Sequence, residues 1–249
     1  MTQLVEVADR VWVARYAAYD VNVTVLGGER GLVVVDSRES VEAGRELAAD
    51  VAALGRGEVV AVVNTHDHVD HVGGNTALGA PEVVAHEDAD VPTATRTFSS
   101  VSTLDLGDRV VELFHPGRAH TAGDLVVRVP DADLLVVGDL VEEATPPWYG
   151  ADSWPLDWPI ALDMVLGLAS GSTVVVPGHG IPVDRDFVEQ QRGDVGIVAE
   201  TLRDLAGRGV PRAEALAAAS WPFPPEHIAE GVARAYDQLP QARRTLPLV

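Results

Sequence analysis

Cysteine is absent from this 249-residue chain, and so is lysine: all 18 basic residues are arginine. No disulfide, thiolate metal ligand or cysteine nucleophile is therefore available. The lack of lysine removes a Schiff-base amine, a lysine general base and the lysine of a phosphate-binding P-loop. Long apolar runs are missing too, none reaching the roughly 18 residues that a membrane-spanning helix needs. Basic charge is scarce. Eighteen Arg against 38 Asp and Glu leave a formal charge of −20, and such a surface repels phosphate backbones, which excludes nucleic acid as an expected partner. The residues left for chemistry are His, Asp, Glu, Ser, Thr and Tyr, together with metals.

What is present suffices for a core. An apolar fraction of 47% over this length predicts one domain, or one with a small appendage. Met1 to Tyr16 carries Glu6, Asp9, Arg10 and Arg15 and no apolar block. A secretory signal is not expected there, and the expected compartment is the cytoplasm. Strands are predicted over Val11–Tyr16, Val21–Leu26, Leu32–Val35 and Val59–Val63, and again over Val83–Ala85, Val110–Phe114, Leu125–Val129, Leu134–Val137 and Thr173–Val176. Helical periodicity marks Val41–Leu54 and Leu156–Leu168. Strands in runs with helices between and after them imply an α/β (α+β) protein of layered sheets under helices. After Pro182 the seam Val188, Val195, Val198, Leu202 and Leu205 is helical in spacing, and a last helix carries Ile228, Val232, Tyr236 and Leu239. The expected division is a domain over 1–183 and a helical extension over 184–249, with the extension packed on the domain or shaping a pocket.

Chemistry concentrates in His66-Asp67-His68-Val69-Asp70-His71, directly after the apolar strand Val59–Val63. A lone histidine here would be read as a hydrogen-bonding loop residue. Three His and one Asp within six residues instead make a ligand cluster, and nitrogen and oxygen donors without sulfur suit zinc, manganese or iron. Three further sites place a ligand-capable residue just past a strand in a Gly-rich turn: His120 in His120-Thr121-Ala122-Gly123-Asp124, Asp139 after Gly138, and His179 in Pro177-Gly178-His179-Gly180. Together they supply enough donors for two metal positions.

Those motifs, in that order, resemble the metallo-β-lactamase superfamily. Val33-Val34-Val35-Asp36 resembles that family's first motif, whose Asp supports the metal loop without binding metal. The resemblance implies a four-layer αβ/βα sandwich with the site at one edge between two sheets. It implies that His66, His68 and His120 hold one metal, that Asp70, His71 and His179 hold a second, and that Asp139 bridges them. Two divalent cations, zinc first with manganese or iron as alternatives, can share a hydroxide, lower its pKa to about 7 and stabilise an oxyanion. Asp70 can also orient that hydroxide or carry a proton, and is the expected catalytic residue.

Within the superfamily, the missing cysteine excludes the β-lactamases that bind a second metal through that residue. The bridging Asp looks more like glyoxalase II, lactonases and phosphodiesterases. Glu142 stands three residues after Asp139, where quorum-signal lactonases usually have Tyr. His68 occupies the position where diiron flavoproteins carry Glu. The segment 144–159 holds three of the five Trp and could wall a pocket, with Trp148, Tyr149 and Trp154 as candidate substrate contacts. The expected activity is cleavage of an ester, thioester, lactone or similar acyl bond in a small molecule. The alternatives are a phosphodiesterase or a mononuclear iron dioxygenase acting on a sulfur substrate. His86, His115 and His227 fall outside the motifs and are expected to be ordinary satisfied or surface histidines.

Overall fold

The computed structural model describes residues 3–239. Residues 1–2 and 240–249, the latter the end of the expected extension, lie outside the described residues. The first half comprises strands β1 (Val5–Ala8), β2 (Val11–Tyr16), β3 (Val21–Gly28) and β4 (Gly31–Val35), then helix α1 (Val41–Ala53) and β5 (Val59–Val63). A one-turn helix α2 (Val69–Val72) follows, and then β6 (Glu82–His86) and β7 (Arg96–Phe98). The second half has β8 (Val101–Asp105), β9 (Val110–Phe114), β10 (Val126–Val129), β11 (Leu134–Glu142), α3 (Trp158–Leu168) and β12 (Val174–His179). It ends in α4 (Arg185–Gly207), α5 (Arg212–Ala215) and α6 (Pro225–Gln238).

Hydrogen bonding runs in the order β7-β6-β5-β4-β3-β12-β11-β10-β9-β8, with β2 also on β3 and β1 on β2. The two halves meet at one register pair, His179 with Val21, and there the sheet folds over on itself. Side-chain alternation shows the layers. Val33 and Val35 of β4 share a core cluster with Leu134 and Val136 of β11. Leu32 and Val34 point the other way, onto Leu47 and Val51 of α1. Leu135 and Val137 face Trp158 and Leu162 of α3 and Val195, Val198 and Leu202 of α4. The order is thus helix, sheet, sheet, helix. Strands buried on both faces have no polar side, which is why β4, β5 and the first four residues of β11 read as apolar runs rich in Val.

Local chemistry fixes the ends. The Ser40 hydroxyl caps α1 by accepting the Ala43 N–H at 3.1 Å, and Asp184 caps α4 through the Phe187 N–H at 2.9 Å. Helix α4 is locked to β11 by Gln191, whose amide donates to the Leu140 carbonyl at 2.9 Å and accepts the Glu142 N–H at 2.9 Å. The described part of the tail therefore forms the outer helical layer of the second half. The buried Arg109 guanidinium reaches the Arg10 and Gly27 carbonyls on one side and Asp131 on the other, tying the halves at the end away from the His179 junction. Strands β1, β7 and β8 have no counterpart in the sequence reading. Each is short or partly exposed, so its apolar signal is weak. No described helix is long and apolar enough to cross a membrane.

Candidate metal centre

Four segments deliver polar side chains to the junction of the two halves. The loop after β5 brings His66 and His68, and α2, which starts after the extended N-cap His68, brings Asp70 and His71. The loop after β9 brings His120. Strand β11 runs on to Glu142 instead of stopping at Val137, with a register irregularity at Gly138 that turns Asp139 inward. His179 closes β12. Two glycines make room. Gly138 sits at φ +53° against the Thr65 side chain, and a Cβ on Gly178 would overlap the Asp139 carboxylate.

The seven side chains converge. Single donor atoms of His66, His68, His120 and Asp139 all lie within 4.8 Å of one another, as do those of Asp70, His71 and His179. Asp139 lies between the groups: its oxygens are 3.7 Å from His66 Nε2, 3.4 Å from His120 Nε2, 3.2 Å from His71 Nε2 and 3.3 Å from His179 Nε2. Asp70 Oδ2 is 3.6 Å from His71 Nε2 and 3.5 Å from His179 Nε2.

Each imidazole is anchored from behind. Thr65 donates its N–H and its hydroxyl to Asp36, at 2.8 Å each. Its oxygen is then free to accept His66 Nδ1–H at 3.1 Å. His71 Nδ1–H donates to Asp36 at 2.8 Å, His120 Nδ1–H to the Trp148 carbonyl at 3.2 Å, and His179 Nδ1–H to the Tyr19 carbonyl at 2.8 Å. His68 is reversed, with Nε2–H on Asp152 at 2.9 Å and Nδ1 inward, 3.0 Å from His120 Nε2. In every case the outward nitrogen has an oxygen acceptor, which sets the tautomer and aims the other lone pair at the centre. His66 Nε2, His71 Nε2 and Asp139 Oδ1 are buried without a hydrogen-bond partner. Orphaned buried donor atoms that converge on one point are what a cation would satisfy, so the residues fit the metals that the resemblance implies.

Burial and neighbouring charge divide the titrating groups. Burial holds His66 well below the usual histidine range and takes His120 down to about 4. Burial also opposes a proton on His71, but the Asp139 and Asp36 carboxylates outweigh it and raise the pKa well above the ordinary value. His179 is raised against burial by Asp139, and His68 by Asp152. Burial likewise opposes a charged Asp139, yet His71 and His66 hold its carboxyl well below the carboxylate range.

Comparison with known proteins agrees with this geometry. The family model described as the metallo-β-lactamase superfamily matches residues 17–179. A metallo-β-lactamase type 2 of Bacillus cereus is 31% identical over 192 residues, spanning 73% of this chain and 71% of the relative. The chain belongs to the metallo-β-lactamase superfamily. It is, as such, a metal-dependent hydrolase in class. A metallo-β-lactamase structure from Pontibacter korlensis superposes with TM-score 0.70 at 25% identity, covering 79% of this chain and 99% of that one. At 22% identity, the structure of the metallo-β-lactamase DIM-1 (TM-score 0.68, covering 80% and 97%) bears on the fold alone.

The superfamily site opens into a cavity of about 460 Å³ whose walls include Trp148, Tyr19, Asp70 and Glu142. Of the three aromatic side chains expected to contact substrate, only Trp148, which is half exposed, lines it. Tyr149 does not: its ring is buried in the core against Trp158 and Gly231. Nor does Trp154, whose ring lies between the guanidinium groups of Arg118 and Arg234. Alternate residues of a Trp/Tyr-rich loop face opposite ways, and most of this loop packs inward. His86 and His115 stack at 3.8 Å and bond to the carbonyls of Ser99 and Asp124, the satisfied role expected of them.

The sequence reading had no means of finding Asp152, Thr65, or the Tyr19 and Trp148 carbonyls. Peptide oxygens leave no signature in residue type, and Asp152 is 84 positions from His68. Tyr19 and Asp20 do hold a backbone clue, both left-handed at φ +60° and +58°, where Asn or Gly is usual in a hairpin turn. Glu142, noted only as a departure from one subfamily, is buried beside Asp139 and His179.

Proposed function

We propose that this protein is a dinuclear hydrolase, with zinc as the first candidate metal, that opens an ester, thioester, lactone or similar acyl bond of a small molecule. His66, His68 and His120 would hold one cation and Asp70, His71 and His179 the other, with Asp139 shared. A bound pair of divalent cations lowers the pKa of water to about 7 and stabilises the oxyanion that develops on attack. The chain's own groups do the rest. Asp70 presents a carboxylate to the cavity, where it can orient the attacking water and pass its proton to the leaving group. Asp36, Thr65 and Asp152 keep the imidazoles in one tautomer, so that no reorganisation is needed during the reaction. Trp148 offers a flat apolar wall for the substrate.

One observation carries this reading: five imidazoles, each with its outer nitrogen bonded to an oxygen acceptor, turn their other nitrogen toward one shared carboxylate, Asp139. The test is metal analysis of the purified chain, where about two metals per chain are expected. Turnover of the zinc- and manganese-loaded forms should then be assayed on ester, thioester, lactone, β-lactam and phosphodiester panels, with Asp139→Ala as the control. Iron at one per chain with oxygen consumption would instead mark the dioxygenase alternative.

The name of the Bacillus cereus relative favours a second reading, hydrolysis of a β-lactam amide. Two features weigh against it. The chain offers no cysteine, and among the described residues the cavity wall has no arginine to receive the carboxylate that β-lactams carry.

A further inference from the structure

Across the segment 142–145 from the metal centre lies a second cavity of about 340 Å³. None of the seven clustered ligand side chains lines it. Glu142, Ala144 and Thr145 stand in the walls of both spaces, so the two cavities share one partition. The apolar part of the remaining walls comes from three places, Pro146 and Pro147 after β11, Phe187 on α4 and Phe223 before α6, beside the amides of Gln190 and Gln191. Phe187 and Phe223 each pack one side on the helical core, which leaves the other side to the cavity. The walls are stiff. The prolines have fixed φ, and the paired Gln191 hydrogen bonds clamp α4 to β11 beside the partition. The charges around the cavity are Glu143 and Asp194, and no arginine stands among the described residues of either wall.

A stiff apolar space next to a reaction centre, rimmed by carboxylates and without a cation, discriminates by chemistry. Apolar surface gains by entering it, whereas an anionic group loses its hydration and meets only like charge. We propose that this second cavity is the subsite for an uncharged alkyl or aryl arm of the substrate, whose acyl carbonyl reaches the metal centre past the 142–145 partition. The assignment rests on the hydrolase reading and deepens it: the substrate is a small acyl compound with an apolar arm and no negative charge at the end of that arm. The helical tail, through Phe187 and Phe223, selects the substrate without contributing a metal ligand.

The zinc-loaded full chain is assayed on p-nitrophenyl esters from acetyl to octanoyl. Expected is a rise in kcat/KM of about two- to fourfold per added methylene until the cavity fills. An octanoyl ester ending in a carboxylate should be at least about tenfold poorer than its methyl-ended counterpart. Independently of turnover, N-methyloctanamide, which keeps the octanoyl arm on an uncleaved amide, should bind the zinc-loaded protein in a calorimetric titration. Phe223→Ser should weaken that binding about tenfold and lower the octanoyl-to-acetyl ratio. Thr145→Arg changes an exposed residue of the partition and should narrow the penalty on the carboxylate-ended ester. A flat ester series without amide binding overturns the proposal, as does a ratio and charge preference unmoved by both variants. Acetyl ester turnover with a flat series leaves the hydrolase reading intact and removes the subsite. Amide binding that responds to Phe223→Ser without turnover of any ester leaves the subsite and removes the hydrolase reading.

Discussion

The two halves of the candidate centre are built differently. His66, His68 and His120 are three imidazole donors, and two of them, His66 and His120, are lowered first by burial and then by the neighbouring imidazoles. Asp70, His71 and His179 include a carboxylate, and both imidazoles are raised by the anions around them. The supports differ as well. His71 leans on Asp36, a fully enclosed carboxylate that also receives Thr65, whereas His68 leans on Asp152, whose side chain is 51% exposed. Without a cation the first group is mostly poised to ligate, and the second holds protons that a cation must displace. Asp139 faces both and compensates whichever charge is present.

The largest expected effect removes the distinction between the groups. Asp139→Ala takes away the carboxylate that both share, and should abolish turnover and lower the metal content while the circular dichroism spectrum stays that of a folded protein. Retention of two metals and of activity would separate the groups from any common bridge.

Asp36→Ala comes next and should act on both ligand sets, through His71 directly and through Thr65 to His66. A loss of about 10- to 100-fold in metal affinity or activity is expected. A drop in melting temperature should accompany it, since three buried donors lose their acceptor. Asp152→Ala should touch only the first group. Its exposed carboxylate is replaceable by water, so a loss near about tenfold with unchanged melting temperature is expected, measured by competition with a zinc chelator.

The smallest effect concerns protons. The second group's histidines are raised, so in the metal-free protein they hold protons to higher pH than free imidazoles do. Cation binding there should release protons, and affinity should rise with pH until those groups have titrated. The first cation, taken by groups that burial already keeps neutral at His66 and His120, should release fewer. Calorimetry in buffers of different ionisation enthalpy reads this directly. Equal proton release in both steps would contradict the asymmetry.

Much of the centre was legible because its clustered side chains sit where secondary structure ends. A Val-rich run followed at once by His66-Asp67-His68, and glycines flanking Asp139 and His179, announce strand ends that present side chains at a sheet edge. The strand limits were less legible. The sequence predicts a strand over Leu134–Val137 that ends before Gly138, yet the ladder resumes after the irregularity and continues to Glu142, since a single left-handed glycine bends a strand without ending it. The Trp/Pro segment misled in a different way. Composition shows that aromatic surface is to be buried, but whether against substrate or core depends on what lies opposite, and for Tyr149 that is Gly231, 82 residues downstream.

By itself the sequence determined the kinds of donor, the exclusion of thiol and amine chemistry, and the order of strands and helices, because residue type and periodicity act locally. Only the tertiary structure decided which oxygen stands behind each imidazole, which aromatic ring faces the cavity, and how helices far along the chain build a second cavity beside the first. Those outcomes depend on segments brought together by burial of the apolar faces between layers, and the distance along the chain between such partners carries no local signal.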